Sequence, residues 1–460
     1  MKEKERKNRK DEILENFNKI KEINEYNKKD FVEFESQTNI QTNILIQKMY
    51  EIFKRGYICD NCLGRQFAQL LSNMDNRKRG KILRNFFAFI IDFQMLDVDL
   101  NNFSSFVFRN EKIKSKIERI KQNSGENICY LCNNFFTDEN LKKWKELILR
   151  KIKSSKIEFR SYVVGTKLTE DLAKKEEELW EDIGIDLCEP IKTEINRTIG
   201  KEIEKELKIK ANLQYPDVLI LLDLENEEVS IRINPLFIYG EYQKLVRGIA
   251  QTKSRRYETS VEEIIAKELL KVTKGIKTKF HGAGREDVDA RCLGWRPFVI
   301  EVIQPKKRYI DLKKLENEVN KSKKIRIRKL RFTNVKEARE LKEARHDKEY
   351  RVVVICDREI NKNDLKKLKK LQGIISQRTP LRVIKRRGDK LRKRVVKSVK
   401  AKLLSKNSFE LIVRCEAGLY VKELVSGDNG RTRPSVSEIL NCKCEPKELD
   451  VIKIYTKNKN

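Results

Sequence analysis

Apolar positions begin to recur at Ile44, in the run ILIQKMYEIFKRGYICDNCLGRQFAQLL. The preceding residues, Met1 to Asn43, are dense in Lys, Glu and Asn and hold few large apolar side chains. They read as a solvated helix or partly disordered extension, and packing is expected to start at Ile44. Further on, strands and helices mix. Ile157 to Val164 reads as a strand and Leu168 to Trp180 as a helix. Val218 to Leu224 reads as an apolar strand, continued by Val229 to Ile233 after an Asn-Glu-Glu turn. Ser260 to Lys271, SVEEIIAKELLK, is amphipathic, with Ser260 and Glu263 at capping-box spacing. Phe298 to Ile303, Ile325 to Arg328, Lys348 to Ile355 and Phe409 to Arg414 carry strand patterns, while Tyr309 to Lys324 is basic and helix-like. The fold class predicted is α+β.

The chain has 460 residues, enough for two or three domains. Lys and Arg number 102 against 70 Asp and Glu, a formal charge of +32, which makes a polyanion the leading partner. A membrane surface fits less well, because no strongly amphipathic basic helix carries aromatic anchors. No apolar run approaches the roughly 18 residues of a membrane span, and the N-terminus lacks the apolar core of a signal peptide. A soluble, cytoplasmic protein is expected. The excess charge peaks between Lys366 and Lys402, where sixteen Lys or Arg face the single acid Asp389. A groove that tracks phosphates is one reading of this run, and a solvated basic surface is the other.

Ten cysteines are few for this length and argue against a disulfide framework. Cys59-Asp60-Asn61-Cys62 and Cys129-Tyr130-Leu131-Cys132 are two C-x-x-C knuckles. Two such pairs suit one tetrahedral zinc with four thiolates and no open position for water, hence a structural ion. The segment between them, including NRKRGKILRNFFAFIIDF, is then an insertion. A redox pair or four unrelated buried thiols are the alternatives. Cys442 and Cys444 have no second pair near them in the chain and read as free thiols.

Acidic residues gather in one glycine-rich stretch, FHGAGREDVDARCLGWRPFVIEVIQPKKR, from Phe280 to Arg308. Gly282, Gly284 and Gly294 bracket Arg285, Glu286, Asp287, Val288 and Asp289 ahead of an apolar strand. Such a loop can hold a carboxylate on shaped backbone at a strand edge. It can equally be a turn whose acids pair with Arg285, Arg291 and Arg296. A magnesium nuclease built on Glu286, Asp287 and Asp289 fits poorly, because neighbouring acids on a strand face opposite sides. Neither a Walker-type phosphate loop nor a dinucleotide fingerprint is present.

The run GREDVDARCLG, followed by RPFVIE, resembles the catalytic motif of the archaeal and eukaryotic pseudouridine synthase family with a THUMP-containing accessory domain, the Pus-ten family. Ile375 to Pro380, Arg382 to Arg387, Cys415 to Gly430, Arg431 to Ser435 and Leu449 to Val451 resemble its later segments. The likeness runs from about Ile44 to Ile454 and is strongest from Asn234 onward. It implies a charged extension over 1–43, a zinc and THUMP-containing RNA-binding module over 44–258, and a catalytic domain with a mostly antiparallel sheet over 259–460. Asp287 would be the catalytic residue, Lys422 its basic partner, and Tyr350 a ring that stacks on the base and serves in proton removal at C5. Val421 and Leu449 would form the apolar wall, with ordinary core packing as their alternative. Arg285, Arg378, Arg386, Arg387, Lys244 and Arg247 would contact substrate, with Tyr242, Gln251 and Lys253 supplying ring, amide and cation near the latter two. For each of these singly, a plain basic helix face is the competing reading. The same resemblance supports zinc on Cys59, Cys62, Cys129 and Cys132. It implies isomerisation of uridine 54, uridine 55 or both in the TΨC loop of tRNA, with no cofactor for the chemistry and a monomeric enzyme. Charge and zinc alone would also fit a non-catalytic, zinc-stabilised RNA-binding or tRNA chaperone protein.

Overall fold

The computed structural model describes residues 44–92 and 128–456, the Arg386 side chain excepted. The N-terminal extension expected over 1–43 lies outside them. The described residues fall into two compact units: one within Met1–Leu149, Val164–Lys208 and Leu221–Ser230, the other within Arg150–Val163, Ile209–Ile220 and Ile231–Asn460. No helix among them is long and apolar enough to cross a membrane.

The first unit is mainly helical. The helix Glu170–Ile183 starts where Thr169 accepts a hydrogen bond from Leu172 N, and it stops at Gly184. Leu172, Glu176, Leu179 and Ile183 give it a buried stripe at helical spacing. Glu176 is buried in that stripe because it pairs with the equally buried Arg65. A separate three-stranded sheet, assigned to neither unit as a whole, is formed by β1 (Tyr162–Lys167), β2 (Val218–Asp223) and β3 (Glu228–Ile233) in the order β1-β2-β3.

The second unit is built on ten strands. They are β4 (Leu236–Lys244), β5 (Lys277–Gly282), β6 (Arg291–Ile303), β7 (Ile325–Thr333), β8 (Asp347–Cys356), β9 (Gly373–Arg378), β10 (Leu391–Ser405), β11 (Ser408–Cys415), β12 (Thr432–Arg433) and β13 (Cys444–Tyr455). The order is β12-β9-β10-β11-β8-β13-β6-β4-β7, with β5 on β6. The pairings are antiparallel except for β13 with β6, which run parallel at Asp450 opposite Arg291. The α+β class and the mostly antiparallel sheet are therefore as expected.

The second half of β6, Phe298 to Ile303, is covered on both faces, so it reads as an apolar run broken by Glu301 alone rather than as an alternation. Phe298, Ile300 and Val302 share a core with Ile265 and Leu269 of the helix Val261–Thr273. Val299 packs instead with Ala338 and Leu341 of the helix Val335–Glu343. A second core surrounds β8, β11 and the helix Val421–Ser426. Ser260 caps the helix Val261–Thr273 by accepting from Glu263 N at 3.1 Å. The strands expected over Val218–Leu224, Val229–Ile233, Lys348–Ile355 and Phe409–Arg414 lie within a residue of their bounds, while β1 starts later than expected, β6 starts earlier and β7 runs on further.

One reading needs correction. The expected domain boundary at 258/259 does not follow the packing, because β4 lies between β6 and β7 in the large sheet. Its hydrogen bonds run to strands far along the chain, which local pattern does not reveal. The basic run Lys366 to Lys402, read from the sequence as a phosphate groove or a solvated surface, contains a fifteen-residue strand, β10, whose side chains are exposed or half-buried except for Val396. Pairing with β9 and β11 holds it in the sheet, and Val396, Val399, Ala401 and Leu403 pack on the core around β8 and β11.

Candidate active site

The chain leaves β5 at Gly282 and enters β6 at Arg291, and the acidic run fills the gap. Gly284 takes φ +79°, a conformation side-chain-bearing residues resist. Behind the loop, the Glu286 side chain is fully buried, with Arg296 Nε 3.0 Å from its carboxylate. The Tyr242 hydroxyl lies 3.0 and 3.1 Å from the two Glu286 oxygens and donates to them. Burial, and then the Glu286 charge, push the Tyr242 phenol well above its usual range, so it stays a donor. Gln251 Nε2 donates to the Tyr242 hydroxyl at 2.8 Å and to Gly284 O at 2.9 Å. Lys244 Nζ donates to Ile249 O, Asp287 O and Val288 O at 3.0–3.1 Å, and Arg296 Nη1 to Ala283 O at 2.9 Å.

This network corrects several expectations. Lys244 is fully buried and holds the loop's backbone instead of reaching a substrate. Tyr242 and Gln251 are buried as well, while Lys253 remains exposed. Arg247 also serves the frame. It donates to Asp289 O at 2.8 Å and Leu449 O at 2.7 Å, and it pairs with Asp450 at 2.7 Å. Arg291 grips the same Asp450 at 2.8 and 3.0 Å, which fastens β13 to β6 where the loop ends. Burial works against the Asp450 charge, yet Arg291 and Arg247 outweigh it and hold its carboxyl below the usual range. Of the three arginines expected to neutralise the loop, only Arg296 pairs with a loop acid. With Glu286 buried apart, the three acids of the nuclease reading do not converge. Among the described residues, the groups able to hold a metal ion are cysteines.

Asp287 and Asp289 face the other way, into a cleft of about 1440 Å³. Lys422, on the helix Val421–Ser426, lies 2.6 Å from Asp289 and 3.6 Å from Asp287. Arg382 reaches Asp287 at 3.3 Å while its Nε donates to the buried Glu423 at 2.6 Å. Burial opposes ionisation of Asp289, but the Lys422 hydrogen bond and charge hold its carboxyl below the usual range. Tyr350, Val421 and Leu449 line the cleft, as do Arg285 and Arg387. Burial pushes the Tyr350 phenol far up, so it presents a protonated hydroxyl. Arg392 and Arg394 of β10 line the same space, so the most basic stretch of the chain borders Asp287.

Arg378 is not in the cleft; it pairs with Asp389 at 3.3 Å on the surface. The Arg386 side chain lies outside the described residues. Two cleft residues were missed. Arg382 belongs to the segment that resembled the family, yet nothing in a run of cations marks one as the partner of Asp287. Lys348 is a buried lysine at the start of β8, pushed down to about 8 by burial and then by Arg296. Nothing in its local sequence marks it as different from other lysines.

In the first unit, the sulfur atoms of Cys59, Cys62, Cys129 and Cys132 all lie within 4.8 Å of one another. Cys59 caps the helix Asp60–Arg65, so the first knuckle is a loop entering a helix. Cys59 Sγ and Cys132 Sγ are 3.7 Å apart. Backbone N–H groups point at the sulfurs, Cys59 N to Cys129 Sγ at 3.2 Å and Cys62 N to Cys59 Sγ at 3.5 Å. Four soft donors with amide support form a group able to hold a metal ion.

Comparison with known proteins places the chain in a family. Residues 237–455 match the family described as Pus10, C-terminal, and residues 144–223 match the archaeal Pus10 THUMP domain. The tRNA pseudouridine synthase Pus10 of Methanocaldococcus jannaschii is 38% identical over 435 residues, covering 89% of this chain and 94% of that protein. That of Pyrococcus furiosus is 36% identical over 414 residues, covering 89% and 98%. The chain belongs to the pseudouridine synthases, and within them to the Pus10 family. Among solved structures, a Cbf5-Nop10-Gar1 complex aligns with 48% of this chain and 50% of its own at 16% identity and a TM-score of 0.30. A likeness that slight adds nothing to the family match.

Proposed function

We propose that this protein isomerises uridine to pseudouridine in the TΨC loop of tRNA, at position 54, 55 or both, with Asp287 as the catalytic residue. The observation that carries the reading is the placement of Asp287 in a basic cleft, against Arg382 and Lys422. Pseudouridine formation detaches uracil from C1′, turns it and rejoins it through C5, so it needs no external acceptor and no redox carrier. The target base must leave its stack to enter the cleft. Arg285, Arg387, Arg392 and Arg394 are suited to phosphates of the approaching strand. Asp287 acts at C1′ or removes the 2′ proton; either role requires its charge to be balanced, and Lys422 and Arg382 share that task. Tyr350 supplies a ring for the base and a protonated hydroxyl that can donate a hydrogen bond to it but cannot itself take up the C5 proton, while Val421 and Leu449 close the apolar side.

The four cysteines of the first unit would hold a structural zinc ion that ties the two knuckles together, with no part in the chemistry. The test is pseudouridine mapping on an unmodified tRNA transcript treated with wild type and with Asp287→Asn. Conversion at position 54 or 55 by wild type alone is the expected result. Binding by both proteins without modification by either would support the non-catalytic RNA-binding reading instead. Modification by both would move the role to another residue, with Asp289 first.

A further inference from the structure

Strand β8 ends on Cys356 and β13 begins on Cys444, and the two are direct partners in the antiparallel register. Their sulfurs lie 3.3 Å apart, and Cys442, in the turn that leads into β13, brings a third sulfur to 3.6 Å from Cys444. All three fall within 4.8 Å of one another. Cys442 and Cys444 read as solitary thiols in the sequence because the third cysteine is 86 residues away.

We infer that Cys356, Cys442 and Cys444 form a second metal site, a three-thiolate seat for a thiophilic cation of the zinc type. Three thiolates about 2.3 Å from one zinc stand roughly 3.8 Å from each other. The trio approaches that spacing, as does the four-cysteine group. The backbone around it is already fastened. Asp357 N donates to Lys443 O and Lys443 N to Asp357 Oδ1, both at 3.1 Å. Arg358 Nη2 donates to Leu440 O at 2.8 Å. Arg358 also sets positive charge near Cys356 and Cys442, against the net negative charge of three thiolates on a divalent ion. Cys356 and Cys444 are buried while Cys442 is half-buried, which gives the ion a way in and leaves a fourth position to water.

The seat lies about six residues along β8 from Tyr350, roughly 20 Å at strand spacing. It is therefore separate from the cleft. An ion there would lock β8 to β13, the strands that carry Tyr350 and Leu449.

The test is metal analysis of the full chain, purified under reducing conditions and saturated with zinc, for wild type and Cys442→Ser. Wild type should hold one zinc equivalent more than the variant, whatever the four-cysteine group binds. Titration with cadmium should give a sulfur-to-metal charge-transfer absorption reduced by about three of seven thiolates in Cys442→Ser, since two sulfurs do not keep the ion. Replacing zinc with copper(I) tells whether a trigonal ion is preferred, which would keep the site and change its metal. Equal metal content and equal cadmium absorption in both proteins would overturn the inference. So would a Cys356–Cys444 disulfide in the reduced, zinc-treated protein.

Discussion

Glu286 and Asp287 are neighbours in the chain, and each carboxylate is paired with cations. Glu286 sits with Arg296 out of all contact with water, and Tyr242, Gln251 and Lys244 complete its surroundings. Asp287 is partly exposed, shares Lys422 with Asp289 and shares Arg382 with Glu423. The buried pair is rigid because every alternative costs desolvation without a replacement partner. The cleft pair can be exchanged, because water and substrate oxygens can take over either side of it. The difference teaches that one short loop separates support from chemistry by burial rather than by residue type.

The largest effect is expected on breaking the inner pair. Glu286→Ala or Arg296→Ala leaves a buried charge unpaired and should cost about 3–5 kcal/mol of stability, read from chemical denaturation. Replacing both together, Glu286→Leu with Arg296→Met, should cost less than either single change, because no charge is stranded. Asp287→Asn should shift the same curves by about 1 kcal/mol or less, although it is expected to abolish turnover. Equal destabilisation by Glu286→Ala and Asp287→Asn would erase the contrast between the two faces.

The next effect separates the two cations of the cleft. Lys422→Ala and Arg382→Ala should each slow single-turnover conversion by about tenfold or more, equivalent to about 1.4 kcal/mol in the barrier. Lys422→Ala should change tRNA affinity less than rate, since its contacts are the two aspartates. Because both cations serve one carboxylate, the double variant should depart from the product of the single losses. A Lys422→Ala enzyme that loses rate and affinity equally would argue against its role as the Asp287 partner.

How far the sequence announced this arrangement depends on whether the decisive property was local. The strand around Phe298 to Ile303 and the Ser260 cap were legible because hydrophobic run and capping spacing are local. Asp287, Lys422, Tyr350, Val421 and Leu449 were placed through motif likeness, and they do meet in one cleft. Lys244, Tyr242 and Gln251 were misjudged because a cation, a ring and an amide suit RNA and a loop's own carbonyls equally well. Burial distinguishes the two uses, and burial depends on strands distant in the chain. The same holds for β4, whose neighbours β6 and β7 begin some fifty to ninety residues later. Strand β10 was hidden because its apolar positions are interspersed among lysines and arginines, so that charge dominates the local pattern.

Lys348 stands between the two faces, lining the cleft beside Tyr350 while sensing the buried Arg296. Burial and that guanidinium lower it from 10.5 to about 8. The folded chain therefore holds fewer protons here than the unfolded chain between those values, so unfolding takes up a proton and stability rises with pH across that window. Below about pH 8 the penalty is fully present; it corresponds to at most about 3 kcal/mol. Lys348→Met should raise stability at neutral pH and remove this contribution to the alkaline slope. Several buried thiols titrate in the same range with the opposite sign, Cys292 among them, pushed up to about 11 by burial. The informative quantity is thus the difference between variant and wild-type stability at each pH, which should shrink steadily from about pH 8 upward. A difference that stays constant from pH 7 to pH 10 would mean that Lys348 keeps its proton in the fold across that range.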